Sequence, residues 1–246
     1  MILTPISIDI ETYPAEFRPV LSGARIYDSS CSPDAKVIFI DRDCGYFLKS
    51  AATGALATEA ALTRYFHDKG LSTRVLGYVN DGQDWLLTEK IPGDDCVAAK
   101  YLEQPERLCD TIAEQLAALH EIDFTGCPVP NQFENYAAMA RRHAVCDADH
   151  AIIDTAKRVL ETNTLLHGDY CLPNIILKDW AFSGFIDFDQ GGVGDRHIDI
   201  FWGAWTLQFN LKTDKYRQRF FDAYGRTKID EEKLETVRAI EKIIGF

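Results

Sequence analysis

An aspartate and an asparagine stand five residues apart in Leu165-Leu166-His167-Gly168-Asp169-Tyr170-Cys171-Leu172-Pro173-Asn174. A second carboxylate, Asp187, follows Phe185-Ile186 and precedes the glycine-rich Gly191-Gly192-Val193-Gly194. Apolar runs flank these polar residues, a pattern that predicts side chains presented at the ends of buried strands. Carboxylate and amide oxygens suit Mg2+, which keeps water and phosphate oxygens in its shell instead of a full protein cage. Asn174 and Asp187 are therefore the expected metal ligands, which leaves Asp169 to accept or orient the proton of an attacking hydroxyl. This division of roles is that of a kinase-type phosphoryl transfer, in which positioning and charge carry most of the catalysis. Lys49 at the end of a strand-like run, with Glu59 in the helix-like stretch that follows, supplies the remaining pair: an ammonium for nucleotide phosphates, fixed by a carboxylate.

These residues need strands and helices to hold them. Residues 36–41 and 45–49 read as two short strands around the turn Arg42-Asp43-Cys44, and residues 73–79 and 84–90 extend the same pattern. Residues 58–69 place Leu62, Tyr65 and Phe66 at helical spacing and stop at Gly70. Ile91-Pro92-Gly93 breaks the last strand, and from Pro105 an amphipathic helix carries Leu108, Ile112, Leu116 and Leu119 on one face. Helical patterns recur at 132–144, 150–161, 198–209, 215–224 and 230–244, the last capped by Asp230; short apolar runs interrupt them at 164–167, 174–177 and 184–186. The expected architecture is α+β and bilobal: a small β-rich lobe with one main helix over residues 1–91, and a larger helical lobe over residues 92–246.

The chain has 246 residues, 46% of them hydrophobic and 26% charged, enough to bury a sizeable core. Its 26 Lys and Arg against 38 Asp and Glu leave a net charge of −12, the wrong sign for a phosphate-backbone binder and the right one for a cationic small molecule. The seven cysteines are scattered without a C-x-x-C pair and read as reduced thiols, and Cys171 within the Asp169 loop reads as buried filler, with no base to activate it. Met1 to Glu11 lacks the charged start and apolar stretch of a secretory leader, and no run reaches membrane-spanning length. The expectation is a cytoplasmic protein that binds neither nucleic acid nor membrane.

The order and spacing of these motifs resemble the aminoglycoside phosphotransferases, a branch of the protein-kinase-like fold, and most closely the branch that modifies the 3′-hydroxyl. The resemblance runs over nearly the whole chain: Tyr46-Phe47-Leu48-Lys49, Glu59, Trp85-Leu86-Leu87-Thr88 leading to Ile91-Pro92-Gly93, Leu119-His120-Glu121-Ile122-Asp123 with Cys127-Pro128, His167-Gly168-Asp169 with Asn174, and Ile186-Asp187. It implies ATP or GTP between the lobes, with the linker from Glu89 to Ile91 meeting the base, Ser22 and Gly23 in a loop over the nucleotide, and phosphate passing to a hydroxyl of an antibiotic. Asp195 and Asp199 also align, as structural carboxylates opening a helix. The loop holding Ser22-Gly23 lacks the G-x-G-x-x-G of protein kinases, as is usual in the resembled family. The chain departs from the 3′ branch in two places: Asp189-Gln190 stands where Gly-Arg is usual after Asp187, and Ile244 stands where an acid usually precedes the final Phe246.

Gln190 and Phe246 are accordingly candidate acceptor contacts, and so are Asp147 and Asp149, whose carboxylates suit ammonium groups; a solvated loop is the alternative for that acidic stretch. Three other readings stay open: a kinase of another sugar, amino alcohol or antibiotic; a nucleotide-binding regulator without turnover; and a phosphohydrolase built on His167, Asp169, Asp187 and His197. Sequence does not specify an oligomeric state.

Overall fold

The computed structural model describes residues 3–246, which fold into two compact units. The first comprises the chain up to Gly93 together with Ser183–Asp189; the second comprises Asp94–Phe182 and Gln190–Phe246. Strands and helices are mixed in the α+β manner the sequence predicts. No helix among the described residues is long and apolar enough to cross a membrane.

In the first unit, β1 (Thr4–Ile6), α1 (Arg18–Leu21), β2 (Arg25–Asp28), β3 (Ala35–Asp41), β4 (Tyr46–Ala51), α2 (Ala57–Asp68), β5 (Val75–Asn80) and β6 (Asp84–Glu89) follow in order. The strands form one antiparallel sheet ordered β1-β2-β3-β4-β6-β5. The hairpin of β3 and β4 falls where the two short runs around Arg42-Asp43-Cys44 predict it. The elements before residue 35 carry no clear periodicity in the sequence; α1 is a single turn opened by Pro19.

Alternation along β4 decides what Lys49 meets. Leu48 lies opposite Leu87 on β6 and joins a core with Tyr13, Phe17, Leu21, Ile26, Ile38, Ile40 and Trp85. Each such side chain contributes about 2 kcal/mol by leaving water, which fixes the register. Lys49, one residue on, must therefore point to the other face. Its cross-strand partner there, Leu86, packs against Leu56 and Ala60 at the start of α2. Glu59 precedes Ala60, so the same packing brings a carboxylate to the lysine.

In the second unit, β7 (Asp94–Asp95), α3 (Ala99–Leu102), α4 (Pro105–Leu119), α5 (Gln132–His143) and α6 (Asp147–Val159) precede β8 (Thr164–Leu166) and β9 (Ile175–Lys178). The strand β10 (Ala181–Phe185) carries the chain out of this unit; β11 (Gly192–Gly194), α7 (His197–Leu211), α8 (Arg217–Tyr224) and α9 (Glu231–Ile244) complete it. Strand β8 pairs with β11, and β7 with β9. The buried face of α4 is the stripe of Leu108, Ile112, Leu116 and Leu119 that the periodicity predicts. Helix α6 starts at Asp147, ahead of its apolar pattern, because Asp149 accepts the Cys146 backbone N–H in a capping box. Asp230 caps α9 as expected, accepting from the N–H groups of Glu232 and Lys233.

Candidate active site

In the first unit, the Lys49 ammonium donates to Glu59 Oε2 at 2.8 Å and to Asp187 Oδ1 at 2.7 Å, the latter 138 residues away in sequence. Asp187 follows β10 with φ at 66°, a left-handed conformation that aspartate tolerates better than most residues. Glu59 is buried, the Lys49 side chain is one-fifth exposed, and that of Asp187 is about half exposed. Burial opposes the charge on Lys49, but the Asp187 and Glu59 carboxylates outweigh it and hold the ammonium above its ordinary pKa. Glu59 is pushed up to about 7, by burial first; Lys49 works against that rise, and Asp187 and Asp189 add to it. A fixed cation beside a solvent-reachable carboxylate is what a nucleotide polyphosphate and its metal require.

In the second unit, the loop from His167 to Asn174 is held by side chains that accept its backbone N–H groups. Asp199, fully buried in the first turn of α7, accepts the His167 N–H with Oδ2 at 2.7 Å and the Gly168 N–H with Oδ1 at 2.8 Å. His120 Nε2 meets the same Oδ2 at 3.2 Å, and its Nδ1 lies 2.8 Å from Tyr224 Oη. Burial pushes the His120 pKa down, with Asp199 opposing, which favours the neutral ring. His167 Nδ1 accepts the Asp169 N–H at 3.3 Å, so this fully buried histidine supports the loop. Gly168 has φ at +89°, and a Cβ there would lie 2.0 Å from the Gln190 carbonyl oxygen, so only glycine allows the two backbones this approach.

The loop then presents a polar pair. Asn174 Nδ2 donates to Asp169 Oδ2 at 2.8 Å and to the Asp169 carbonyl at 3.0 Å. Both amide hydrogens are thereby directed at Asp169, which turns Oδ1, the atom a cation would use, the other way. The Cys171 thiol is pushed far up by burial and by the neighbouring Asp169, which removes it as a nucleophile. Asp195 accepts from the backbone and the ring of His197, at 3.0 and 2.6 Å, and His197 Nε2 accepts the Asp230 N–H at 2.8 Å. With both nitrogens of His197 engaged, it has no lone pair for a metal, and no cluster of three or more His, Cys, Asp or Glu among the described residues is placed to hold one. The phosphohydrolase reading, which needs two histidines on one ion, loses its basis. The half-exposed carboxylate of Asp187 and the amide oxygen of Asn174 are each hard oxygen donors of the kind Mg2+ takes alongside phosphate and water.

The other residues singled out in the sequence fall as follows. Ser22 ends α1 and its carbonyl accepts from the Arg42 guanidinium at 3.0 Å, with Gly23 next at φ +74°. Glu89 closes β6, and its carbonyl accepts the Thr73 hydroxyl; Ile91 is buried just beyond. Asp149 Oδ2 accepts from Val145 N at 2.8 Å and Cys146 N at 3.2 Å, so part of its carboxylate serves the helix start. Asp147 is exposed beside it. Gln190 lies with its carbonyl against Gly168, and Phe246 packs its ring on Trp202 at 4.6 Å. Sequence reasoning read Asp199 only as a helix opener and passed over Glu241, whose carboxyl group is buried on Tyr136. A charged residue on the apolar stripe of α9 was the available signal for it.

Residues 28–237 match the phosphotransferase enzyme family. A probable aminoglycoside 3′-phosphotransferase of Lactococcus lactis is 46% identical over 97% of this chain and 98% of its own. The aminoglycoside 3′-phosphotransferase of Streptomyces fradiae is 29% identical over 90% and 91%. Among solved structures, a type VIII aminoglycoside 3′-phosphotransferase superposes with a TM-score of 0.73 at 22% identity, covering 95% of each chain. An APH(3′′)-Id enzyme from Streptomyces rimosus, solved with ADP and streptomycin, reaches 0.66 at 20% identity over 86% and 91%. These likenesses establish the kinase-like fold that the motifs predict.

Proposed function

The chain belongs to the phosphotransferase enzyme family, and from that premise we propose that it moves the γ-phosphoryl group of ATP or GTP to a hydroxyl of a cationic aminoglycoside, conferring resistance to it. The observation that carries this reading is the seat of Lys49 between Glu59 and Asp187, which has the charge and partial exposure to receive nucleotide phosphates. Residues 1–91 act as the nucleotide lobe, with Ser22 and Gly23 over the phosphates and Glu89 to Ile91 beside the base. Residues 92–246 supply catalysis and the acceptor contacts, for which Asp147, Asp149, Gln190 and Phe246 are the candidates.

Asp169 orients the acceptor hydroxyl and takes its proton as the oxygen attacks phosphorus. Asn174 keeps that carboxylate in one rotamer, and Asp199 keeps the loop itself from shifting. Asn174 and Asp187 would hold Mg2+, and such an ion would offset the negative charge of the transferring group. Lys49 adds a second positive charge from the protein side, and Glu59 stops it from swinging away. Use of a nucleoside triphosphate places the reaction in the cytoplasm. The acidic surface, with net charge −12, draws a polycationic acceptor towards the enzyme.

The test is an acceptor panel with γ-labelled ATP and GTP, with and without chelator. Label should appear on kanamycin-type acceptors, depend on Mg2+, and disappear with Asp169→Asn. Label found only on another sugar or amino alcohol would replace the substrate class, and label found nowhere would favour a regulator that binds nucleotide without turnover.

A further inference from the structure

The sheet of the first unit has a second face, turned away from Lys49, and its cover is incomplete. Cross-strand register sets Ile38, Leu48 and Leu87 in one row across β3, β4 and β6, and Lys36, Ser50 and Trp85 in the next. Tyr13, Phe17 and Leu21 close over the first row. Beside the second row lies a cavity of about 470 Å³, within the size range of small-molecule sites. Its lining includes the apolar Ile38 and Leu48 and the polar Tyr13, Trp85, Lys36 and Gln83, and all of it belongs to the first unit.

Two of these polar groups are buried without a partner. Tyr13 and Trp85 are each 8% exposed, with ring centroids 5.2 Å apart, and among the described residues no hydrogen bond reaches the Tyr13 hydroxyl or the Trp85 indole N–H. Buried donors are nearly always paired, so both are set to meet an acceptor that enters the cavity. Burial alone holds the Tyr13 pKa above its ordinary value, which keeps the hydroxyl a neutral donor. Lys36 is exposed and makes no ion pair among the described residues. Asp28, which attracts it from a distance, accepts the Ser30 N–H at 2.9 Å and is not part of the lining. None of the ten lining residues is acidic, although the whole chain carries a net charge of −12. Donors and a single cation beside apolar and aromatic walls select an anion with a flat apolar body.

We propose that this cavity is a second ligand site, which binds a small aromatic carboxylate on the reverse of the strand that carries Lys49. The carboxylate meets Lys36, Tyr13 Oη and Trp85 Nε1, and the ring lies against Ile38 and Leu48. Leu48 and Ser50 flank Lys49 along β4, but alternation turns Lys49 to the opposite face, so the occupant and the nucleotide phosphates do not compete for one place. A cationic acceptor finds no carboxylate in this lining. The site is independent of which hydroxyl the enzyme phosphorylates.

Equilibrium dialysis of the full chain against 2-naphthoate tests this, with 2-naphthol as the neutral probe of similar shape. 2-Naphthoate should bind at one site per chain with a submillimolar Kd, and 2-naphthol at least about tenfold more weakly, because it lacks the charge that Lys36 meets. Lys36→Ala, a change at an exposed side chain, should raise the Kd for 2-naphthoate about tenfold. Tyr13→Phe, which keeps the buried ring and removes only the hydroxyl, should raise it about threefold or more. Saturating ADP with Mg2+ should leave the Kd within about threefold, since the two ligands occupy opposite faces of the sheet. No binding at millimolar probe, equal affinity for the neutral probe, or an unchanged Kd in both variants overturns the proposal. A Kd that climbs in proportion to ADP places the probe in the phosphate seat and overturns it as well. Binding of 2-naphthoate by a chain that phosphorylates no acceptor would support the second site while the functional reading fails, so the two are separable.

Discussion

Asn174 donates both of its amide hydrogens to Asp169, one to the carboxylate at 2.8 Å and one to the carbonyl at 3.0 Å. That grip sets the rotamer of the candidate base without burying it. Asp169→Asn removes the proton acceptor and little else, since the residue is only half buried. Its kcat should fall at least about 100-fold with a melting temperature near that of the wild type. Asn174→Ala should lower kcat and also raise the Mg2+ concentration needed for half-maximal rate. An Asp169→Asn enzyme with wild-type kcat on every active acceptor would remove Asp169 from the mechanism.

Lys49 sits between two carboxylates, so its loss and the loss of one partner have different consequences. Lys49→Ala leaves Glu59 buried without a cation and should destabilise the first unit by about 2 to 3 kcal/mol at pH 8. The penalty should shrink at pH 6, because Glu59, raised to about 7 chiefly by burial, then takes up a proton. Glu59→Gln leaves Lys49 paired with Asp187 and should cost less than half as much. Urea unfolding at the two pH values separates these outcomes; equal penalties for Lys49→Ala at both would contradict the pairing. Nucleotide KM should rise in both variants, about tenfold or more for Lys49→Ala.

The parts of this protein legible in its sequence are those fixed by local pattern. The apolar runs of residues 36–41 and 45–49 mark β3 and β4, which bury Ile38, Ile40 and Leu48 on one face, and the stripe from Leu108 to Leu119 marks α4, because each element buries a face of matching period. The Asp169–Asn174 pair is local as well, five residues of one loop. Lys49 and Asp187 are not: nothing in their neighbourhoods encodes a contact across 138 residues, and only the order of motifs suggested a shared chemistry. Asp199 was hidden for the opposite reason. Its place in the first turn of α7 already explains a carboxylate there through the helix dipole, and its bonds to His167 and Gly168 come from tertiary packing. Glu241 broke the apolar pattern of α9 without any local sign of its partners Tyr136 and Trp202.

The catalytic loop should be more sensitive to Asp199 than to His167. Asp199→Ala strands two buried backbone N–H groups and the His120 ring, so about 3 kcal/mol or more of stability should be lost, together with most activity. His167→Gln gives up the 3.3 Å bond from the Asp169 N–H, longer than those Asp199 accepts, and should retain measurable turnover. Gly168→Ala should match Asp199→Ala in severity, since its Cβ would meet the Gln190 backbone and not a movable side chain. Denaturant midpoints and kcat for the three variants rank them; a stable, active Asp199→Ala enzyme would show that the loop is held by other means.

Glu241 makes stability depend on pH in a direction opposite to that of an ordinary paired carboxylate. Burial is the main cause that lifts its pKa from 4.5 to about 7, the bonds from Tyr136 and Trp202 oppose the rise, and the Asp169 charge adds to it. Tyr136, itself raised well above 10 by burial, stays neutral and does not change the sign. The folded state therefore binds a proton more tightly than the unfolded chain, and this contribution is complete below about pH 4.5 and is lost as the pH rises through 7. Its size is at most about 3 kcal/mol, the free-energy equivalent of the shift. Compared across that window, the wild type should lose stability relative to Glu241→Gln, which carries no ionisable group and keeps a side chain of the same shape. Unfolding free energies of the two proteins at pH 5, 6, 7 and 8 would show the difference growing with pH; a constant difference, or one that shrinks, would mean that the carboxyl group is already ionised in its buried site and is held there by Tyr136 and Trp202.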